Sequence, residues 1–229
     1  MSPSPAASSP EAQALIADAA QLGVALTQAQ ALQLLRLLDE LTQWNRAYNL
    51  TAIRERDAMV PAHLLDSLAA LPELSGRQIL DVGTGAGFPG LPLAIASPER
   101  HFTLVDAVGK KIRFVSHVCR QLELANVQAV HARVQALTPA VAFDTILARA
   151  YAGLPALIAD VQHLAGAEAR VVALKGMYPQ EELAALPAGW RLEHAASPQI
   201  PGLHATRHLL RLVRADVRAP VVPPRQRLD

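Results

Sequence analysis

The chain has 229 residues, enough for one large domain or a domain with a small appendage. It is 51% hydrophobic but only 4% aromatic, which excludes a disordered chain and favours a well-buried core containing helices. The formal net charge of +1, from 21 basic and 20 acidic residues, excludes a generally basic nucleic-acid binder, so an RNA partner would have to be held by a local patch.

The opening "MSPSPAASSPEA" lacks the charged-then-apolar order of a secretory signal, and residues 1–10 read as a flexible tail. Residues 11–22 carry a short amphipathic helix. Thr27 with Gln30 three residues later fits a capping box. Leu34, Leu37, Leu38, Leu41, Trp44 and Tyr48 then follow at three- and four-residue steps, one face of a long helix with Trp44 and Tyr48 read mostly as core. A third helix is expected over 57–71, with Pro61 in its first turn. Residues 11–75 thus form a helical region with no strand. Nowhere does the chain approach the roughly 18 consecutive apolar residues of a membrane span.

After Gly76 the pattern changes. "RQILDV" (77–82) reads as a strand ending in a glycine-rich loop, and "LPLAIAS" begins a helix. "HFTLVD", "VQAVHA", "FDTILAR" and "EARVVALKG" are four further strands, with helical stretches expected between them. That alternation means βαβ units and a parallel sheet with helices on both faces. "WRLEHAAS" and "RHLLRLVR" follow with no helix between them, an antiparallel pair at one edge. The prolines of "APVVPPRQRLD" make 215–229 a second loose tail. The expected domain is therefore 76–214. Cys119 is the only cysteine, which forbids an internal disulfide and fits a reducing cytoplasm.

"DVGTGAGFPG" (81–90) lies where doubly wound sheets bind ligands, beyond the carboxyl end of the first strand. Gly83, Gly85 and Gly87 occupy relative positions one, three and five, so the dinucleotide fingerprint, which needs position six, is missed by one residue. Asp81 sharpens the choice. A carboxylate at the mouth of the loop would repel a pyrophosphate but suits the ammonium of S-adenosylmethionine. Backbone N–H groups at the start of the next helix, with Pro89 in its first turn, suit that donor's carboxylate. Asp106, ending the second strand, can accept both ribose hydroxyls. These features favour a class I methyltransferase fold over a dehydrogenase.

Reading outward from the loop, the chain resembles the bacterial 16S ribosomal RNA guanine-N7 methyltransferases, the glucose-inhibited division protein B family. The resemblance rests on "QWNRAYNLTAIR" (43–54), "HLLDSL" (63–68), "DVGTGAGFPGLPLAI" (81–95), "FTLVDAVGKKIRF" (102–114), "ARAYAGL" (148–154), "ALKG" (173–176) and "TRHLLRLV" (206–213). They run in family order, and the first two lie outside the general cofactor fold. The resemblance implies a Rossmann-like, mostly parallel seven-stranded sheet with an N-terminal helical extension. It implies S-adenosylmethionine as cofactor and the small-subunit RNA, or the subunit itself, as partner. A cytoplasmic monomer with neither membrane nor metal is expected. Gly83 and Phe88 would contact the donor, Val134 and Gln135 would border its adenine, and Arg149 would close the site. Two departures stand out: Gln135 replaces the family's usual glutamate, which should weaken the adenine contact or leave it to the backbone, and Ala107 replaces a usual serine.

Methylation at N7 needs no general base, because that nitrogen carries a free lone pair. No catalytic base is assigned; Arg149 and Tyr151 are candidates for placing the target, Tyr151 by stacking. Lys110, Lys111 and Arg113 sit at a helix start, where they oppose the macrodipole, and read either as a phosphate-binding patch or as a solvated face. Lys175, Arg207 and His208 could extend that patch. His63 and Asp66, three apart on a helix, could pair. His131 and Cys119 have no metal-ligand spacing with other residues. Two other readings remain open: a methyltransferase of a small molecule or a protein, with 11–75 as a lid, and a non-catalytic RNA- or protein-binding module with a decayed cofactor site.

Overall fold

A computed structural model describes residues 9–215, and the expected tails lie, apart from their innermost residues, outside the described residues. Helix α1 (Pro10–Gln21) starts one residue before its expected boundary, with Pro10 at the first helical position, where its missing N–H is no loss. Helix α2 (Gln28–Tyr48) has the expected capping box: the Thr27 hydroxyl accepts from the Gln30 N–H at 3.2 Å, and the Gln30 side chain accepts from the Thr27 N–H at 2.9 Å. Its leucine stripe is buried. Trp44 is half-buried among Phe114, His117 and Tyr48, but Tyr48, at the helix end, is exposed and is not core.

The third helix differs from expectation. It runs as α3 (Arg56–Met59), a π-helical segment (Val60–Leu65) and α4 (Asp66–Leu68). Pro61 therefore sits inside it, not in its first turn. A proline there has no N–H to give and crowds the carbonyl one turn back. From the proline on the helix is wider: the Asp66 N–H reaches back five residues to the Pro61 carbonyl.

The sheet contains seven strands in the order β3-β2-β1-β4-β5-β7-β6. They are β1 (Gln78–Val82), β2 (His101–Asp106), β3 (Val127–His131), β4 (Phe143–Arg149), β5 (Ala165–Lys175), β6 (Trp190–Ala196) and β7 (His208–Arg214). The first five pair in parallel, and β7 runs antiparallel to both β5 and β6. Helices α5 (Gly90–Ala96), α6 (Gly109–Gln121), α7 (Leu154–Val161) and the short α8 (Gln180–Ala184) connect them. The expected helix between β3 and β4 is absent: only a 3₁₀ turn, Val134–Ala136, lies there.

Side chains alternate faces along each strand. Ile79, Leu104, Leu147 and Val172 join a core with α1, α2, α5 and α6, while Leu80, Val105, Ile146 and Val171 join a second core with α7. Among the described residues no helix is long and apolar enough to cross a membrane.

Candidate active site at the sheet switch point

The strand order reverses between β1 and β4, so the loops leaving these strands flank a crevice. Gly83, Gly85 and Gly87 all have positive φ, from 62° to 86°. Gly83 also has no room for a side chain, since a Cβ there would lie 2.9 Å from the Tyr151 ring. The loop is strapped to the end of β2. The Thr84 N–H donates to the Val105 carbonyl and the Gly85 N–H to Asp106 Oδ2, each at 3.0 Å.

Asp81 lies beneath this loop, not at its mouth. It is fully buried. Its Oδ2 accepts from the Thr84 hydroxyl at 2.5 Å and from the Gly90 N–H at 2.9 Å. The first N–H of α5 is thus committed to Asp81 and is not free for a ligand. Asp81 Oδ1 is buried with no hydrogen-bond partner. Burial pushes its carboxyl up to about 6, against the pull of Thr84, Gly90 and the Arg149 cation.

Two cavities open at this switch point. One, of about 240 Å³, is lined by Val82, Gly83, Asp106, Val134, Gln135 and Tyr151, among others. Asp106 holds the cleft's floor, with Oδ1 accepting from the Val108 N–H at 2.8 Å and Lys111 Nζ 3.5 Å from Oδ2. On its far wall Asp160, from α7, ties two lining residues together. It accepts from Gln135 Nε2 at 2.7 Å and from the Tyr151 hydroxyl at 2.8 Å. A carboxylate can only accept, so the Gln135 amide nitrogen must face Asp160 and its oxygen is left for another donor. Burial, reinforced by Asp160, pushes the Tyr151 hydroxyl up to about 12, so it stays protonated.

The second cavity, of about 430 Å³, is lined by residues including His63, Asp66, Arg149, Lys175 and Arg207. Asp66 is 3% exposed and draws two arginines together: Oδ2 accepts from Arg149 Nη1 at 3.0 Å, and Oδ1 from Arg207 Nε at 2.8 Å. Lys175 Nζ donates to Glu182 at 2.8 Å. Burial raises the Glu182 carboxyl, but Lys175 and the Leu154 N–H more than offset this and hold it below the usual carboxylate range. The cavity wall is built from the N-terminal region. Asn45, buried at the end of α2, holds the Thr51 backbone by both its amide atoms, at 3.0 and 2.9 Å. The Thr51 hydroxyl lies 3.1 Å from His63 Nε2. His63 stacks on Phe88 at 4.7 Å, and the Arg149 guanidinium lies 5.6 Å from the centre of the Phe88 ring. Burial and the Arg149 cation push His63 down to about 4, so it is neutral at physiological pH.

The cavities share no lining residue. They meet at Arg149–Ala150–Tyr151, where Arg149 lines one and Tyr151 the other. Between them Ala150 takes a left-handed conformation, φ 50°, which turns the chain between two consecutive site residues.

Residues 30–210 match the family described as rRNA small subunit methyltransferase G. The chain belongs to that family. It is 48% identical to the ribosomal RNA small subunit methyltransferase G of Stutzerimonas stutzeri over 205 residues, 89% of this chain and 95% of that protein. It is 49% identical to the protein of the same name from Pseudomonas paraeruginosa over 201 residues, 87% of this chain and 94% of that one. In fold it is similar to TrmN from Thermus thermophilus, with a TM-score of 0.55 at 22% identity, covering 75% of this chain and 53% of that one. It is also similar to a ribosomal protein L11 methylase from Lactobacillus delbrueckii, with a TM-score of 0.51 at 15% identity, covering 66% and 77%.

Within this methyltransferase G framework the expected site residues sort into three groups. Gly83, Asp106, Val134 and Gln135 come together in the smaller cleft, whereas Arg149 lines the larger cavity. Asp81, Gly85, Gly87 and Phe88 line neither; they shape the loop between them. Tyr151 lines the smaller cleft and is not among the residues that line the larger cavity. The residues of the expected basic patch have separate partners. Lys110 Nζ donates to the Tyr48 carbonyl at 2.9 Å, Lys111 faces Asp106, and Arg113 is exposed, while Lys175 and Arg207 are ion-paired in the larger cavity. His208 bonds Ser197 at 2.8 Å. His63 and Asp66 do not pair, because Thr51 and the two arginines take them separately. His131 meets the Ala107 carbonyl, and burial pushes the Cys119 thiol up to about 11. Asp160 and Glu182 were not anticipated; both are acids on helices with nothing local in the sequence to mark them.

Proposed function

We propose that the protein transfers the methyl group of S-adenosylmethionine to N7 of an unpaired guanine in small-subunit ribosomal RNA. One observation carries this reading: a chain of this family brings two distinct cavities to one sheet switch point, joined at Arg149–Ala150–Tyr151.

The residues of the smaller cleft fit the donor. Asp106 can accept from the ribose hydroxyls, and the free Gln135 oxygen can accept from the adenine amino group. The unpartnered Asp81 Oδ1 supplies negative charge behind the loop for the ammonium group. When bound, the donor supplies an electrophilic methyl group on a sulfonium. The larger cavity would take the guanine. Since N7 attacks with its own lone pair, no side chain has to remove a proton, and none is assigned to do so. The work left to the protein is alignment of the two reactants about 3 Å apart with water excluded. The guanine ring becomes cationic on methylation. Asp66 and Glu182 keep Arg149, Arg207 and Lys175 paired, so the cavity does not meet that ring with three uncompensated cations.

Incubation with methyl-labelled donor and small-subunit RNA from cells lacking this activity tests the reading. Labelled 7-methylguanine at a single RNA position is expected. Donor binding without any 7-methylguanine would overturn the acceptor assignment. No donor binding by calorimetry would instead favour a non-catalytic binding module.

A further inference from the structure

With Tyr151 in the smaller cleft, no Phe, Tyr or Trp lines the larger cavity, and its one aromatic ring, His63, is buried against Phe88. The loop between β5 and α8 supplies an exposed one. Lys175, the last residue of β5, and Gly176, the first of this loop, line the cavity. The next two, Met177 and Tyr178, are 83% and 47% exposed. Among the described residues three other large apolar side chains are exposed: Tyr48, Val108 and Val141. Val108 follows Ala107 of the smaller cleft, but none of the three follows directly on residues that line the larger cavity. Two consecutive exposed apolar side chains beside a cavity offer a surface that a ligand can cover.

Tyr178 is also held in place. Its ring meets His208 at 5.6 Å in an edge-to-face arrangement, interplanar angle 77°. His208 stands opposite Lys175 across the β5–β7 pairing and is bonded to Ser197. It directly follows Arg207, another cavity residue. A braced, half-exposed aromatic next to a polarizable methionine, at the rim of a cavity carrying Arg149, Lys175 and Arg207, matches the chemistry of a nucleobase attached to a phosphate backbone.

We infer that Met177 and Tyr178 form a stacking shelf for the base adjacent to the target guanine. The shelf splays the neighbouring base away from the target and sets its depth in the cavity. This rests on the proposed acceptor. Tyr178 is a positioning residue and acts on RNA capture, not on the methyl transfer itself.

Steady-state methylation of deproteinised small-subunit RNA tests it. Tyr178→Ala should raise KM for RNA at least fivefold, the size of one lost base–aromatic stack, with kcat and donor Kd unchanged. Tyr178→Phe should restore KM, because the ring is kept. Met177→Ala should give a smaller rise. Thermal unfolding midpoints should match the wild type, since both side chains face solvent. An unchanged KM in Tyr178→Ala overturns the shelf, as does a Phe variant as poor as Ala. So does a defect seen with intact ribosomal subunits and not with naked RNA, which would mean that the shelf meets a protein. If the wild type makes no 7-methylguanine at all, the acceptor assignment fails and the shelf falls with it. If the wild type does and Tyr178→Ala equals it, the shelf alone fails.

Discussion

Asp81 shows how a single carboxylate can be right in sequence and misplaced in expectation. An acid at the head of a glycine loop suggested a group facing the ligand; the structure buries it and spends one oxygen on the loop's own Thr84 and Gly90. Its titration near 6 lies above the ordinary carboxylate value of about 4. Between those values the folded chain holds a proton that the unfolded chain has lost. Stability from this group is therefore present at low pH and falls as pH rises through the window from about 4 to 6. We predict that Asp81→Asn flattens that fall in denaturant titrations at several pH values. Asp81→Ala is the poorer test, since it strands two buried donors at about 1–3 kcal/mol each. A donor ammonium favours the ionised form, so donor affinity should weaken about tenfold between pH 7.5 and pH 5. A flat affinity profile would remove Asp81 from the donor's surroundings.

At the scale of elements, "WNRAYNLT" works as a latch. The end of α2 folds back through Asn45 onto Thr51, Thr51 meets His63 on the π segment, and His63 stacks on Phe88 of the glycine loop. Asn45→Ala leaves both the N–H and the carbonyl of Thr51 unpaired in a part-buried place. Destabilisation of about 2–4 kcal/mol is expected by urea titration, together with loss of RNA methylation exceeding any loss of donor binding. A variant with wild-type stability would mean that the latch is not closed in solution. Much of this level was legible beforehand. The capping box, the leucine stripe, seven strands and the antiparallel edge all follow from patterns a few residues long. The π segment did not, because apolar periodicity does not report which carbonyl an N–H selects. Nor did the side-chain partners. Asp66 and Arg207 are 141 residues apart in the chain, and nothing in either neighbourhood says that they meet.

For the whole molecule, the boundary at residue 75 separates kinds of secondary structure but not cores. Ala12, Leu15, Leu34 and Leu41 belong to the same buried cluster as Ile79, Leu104, Phe114 and Leu209. Gln30 and Gln33 reach across to the carbonyls of Ile95, Ala96 and Leu122, and Glu40 bonds His117 at 2.7 Å. The helical extension and the sheet should therefore unfold together. The two tryptophans, Trp44 and Trp190, report on the two halves. Single-tryptophan variants Trp190→Phe and Trp44→Phe should give superimposable urea transitions by fluorescence, allowing for their separate effects on stability. Two resolved transitions in the wild-type protein would show two independent folding units. The same distribution explains why the larger cavity was hard to foresee: its walls come from the loop after α2, the π segment, α4, β4, β5 and the turn before β7. Only the finished fold assembles them.

The left-handed turn at Ala150 has a kinetic meaning. By sending Arg149 and Tyr151 to separate cavities, it gives the molecule two doorways that have no side chain in common. On the proposed assignment of the donor to the smaller cleft and the RNA to the larger cavity, we predict random-order binding, with spent cofactor exchanged for fresh while the RNA stays seated; product-inhibition patterns of a compulsory-order mechanism would contradict it.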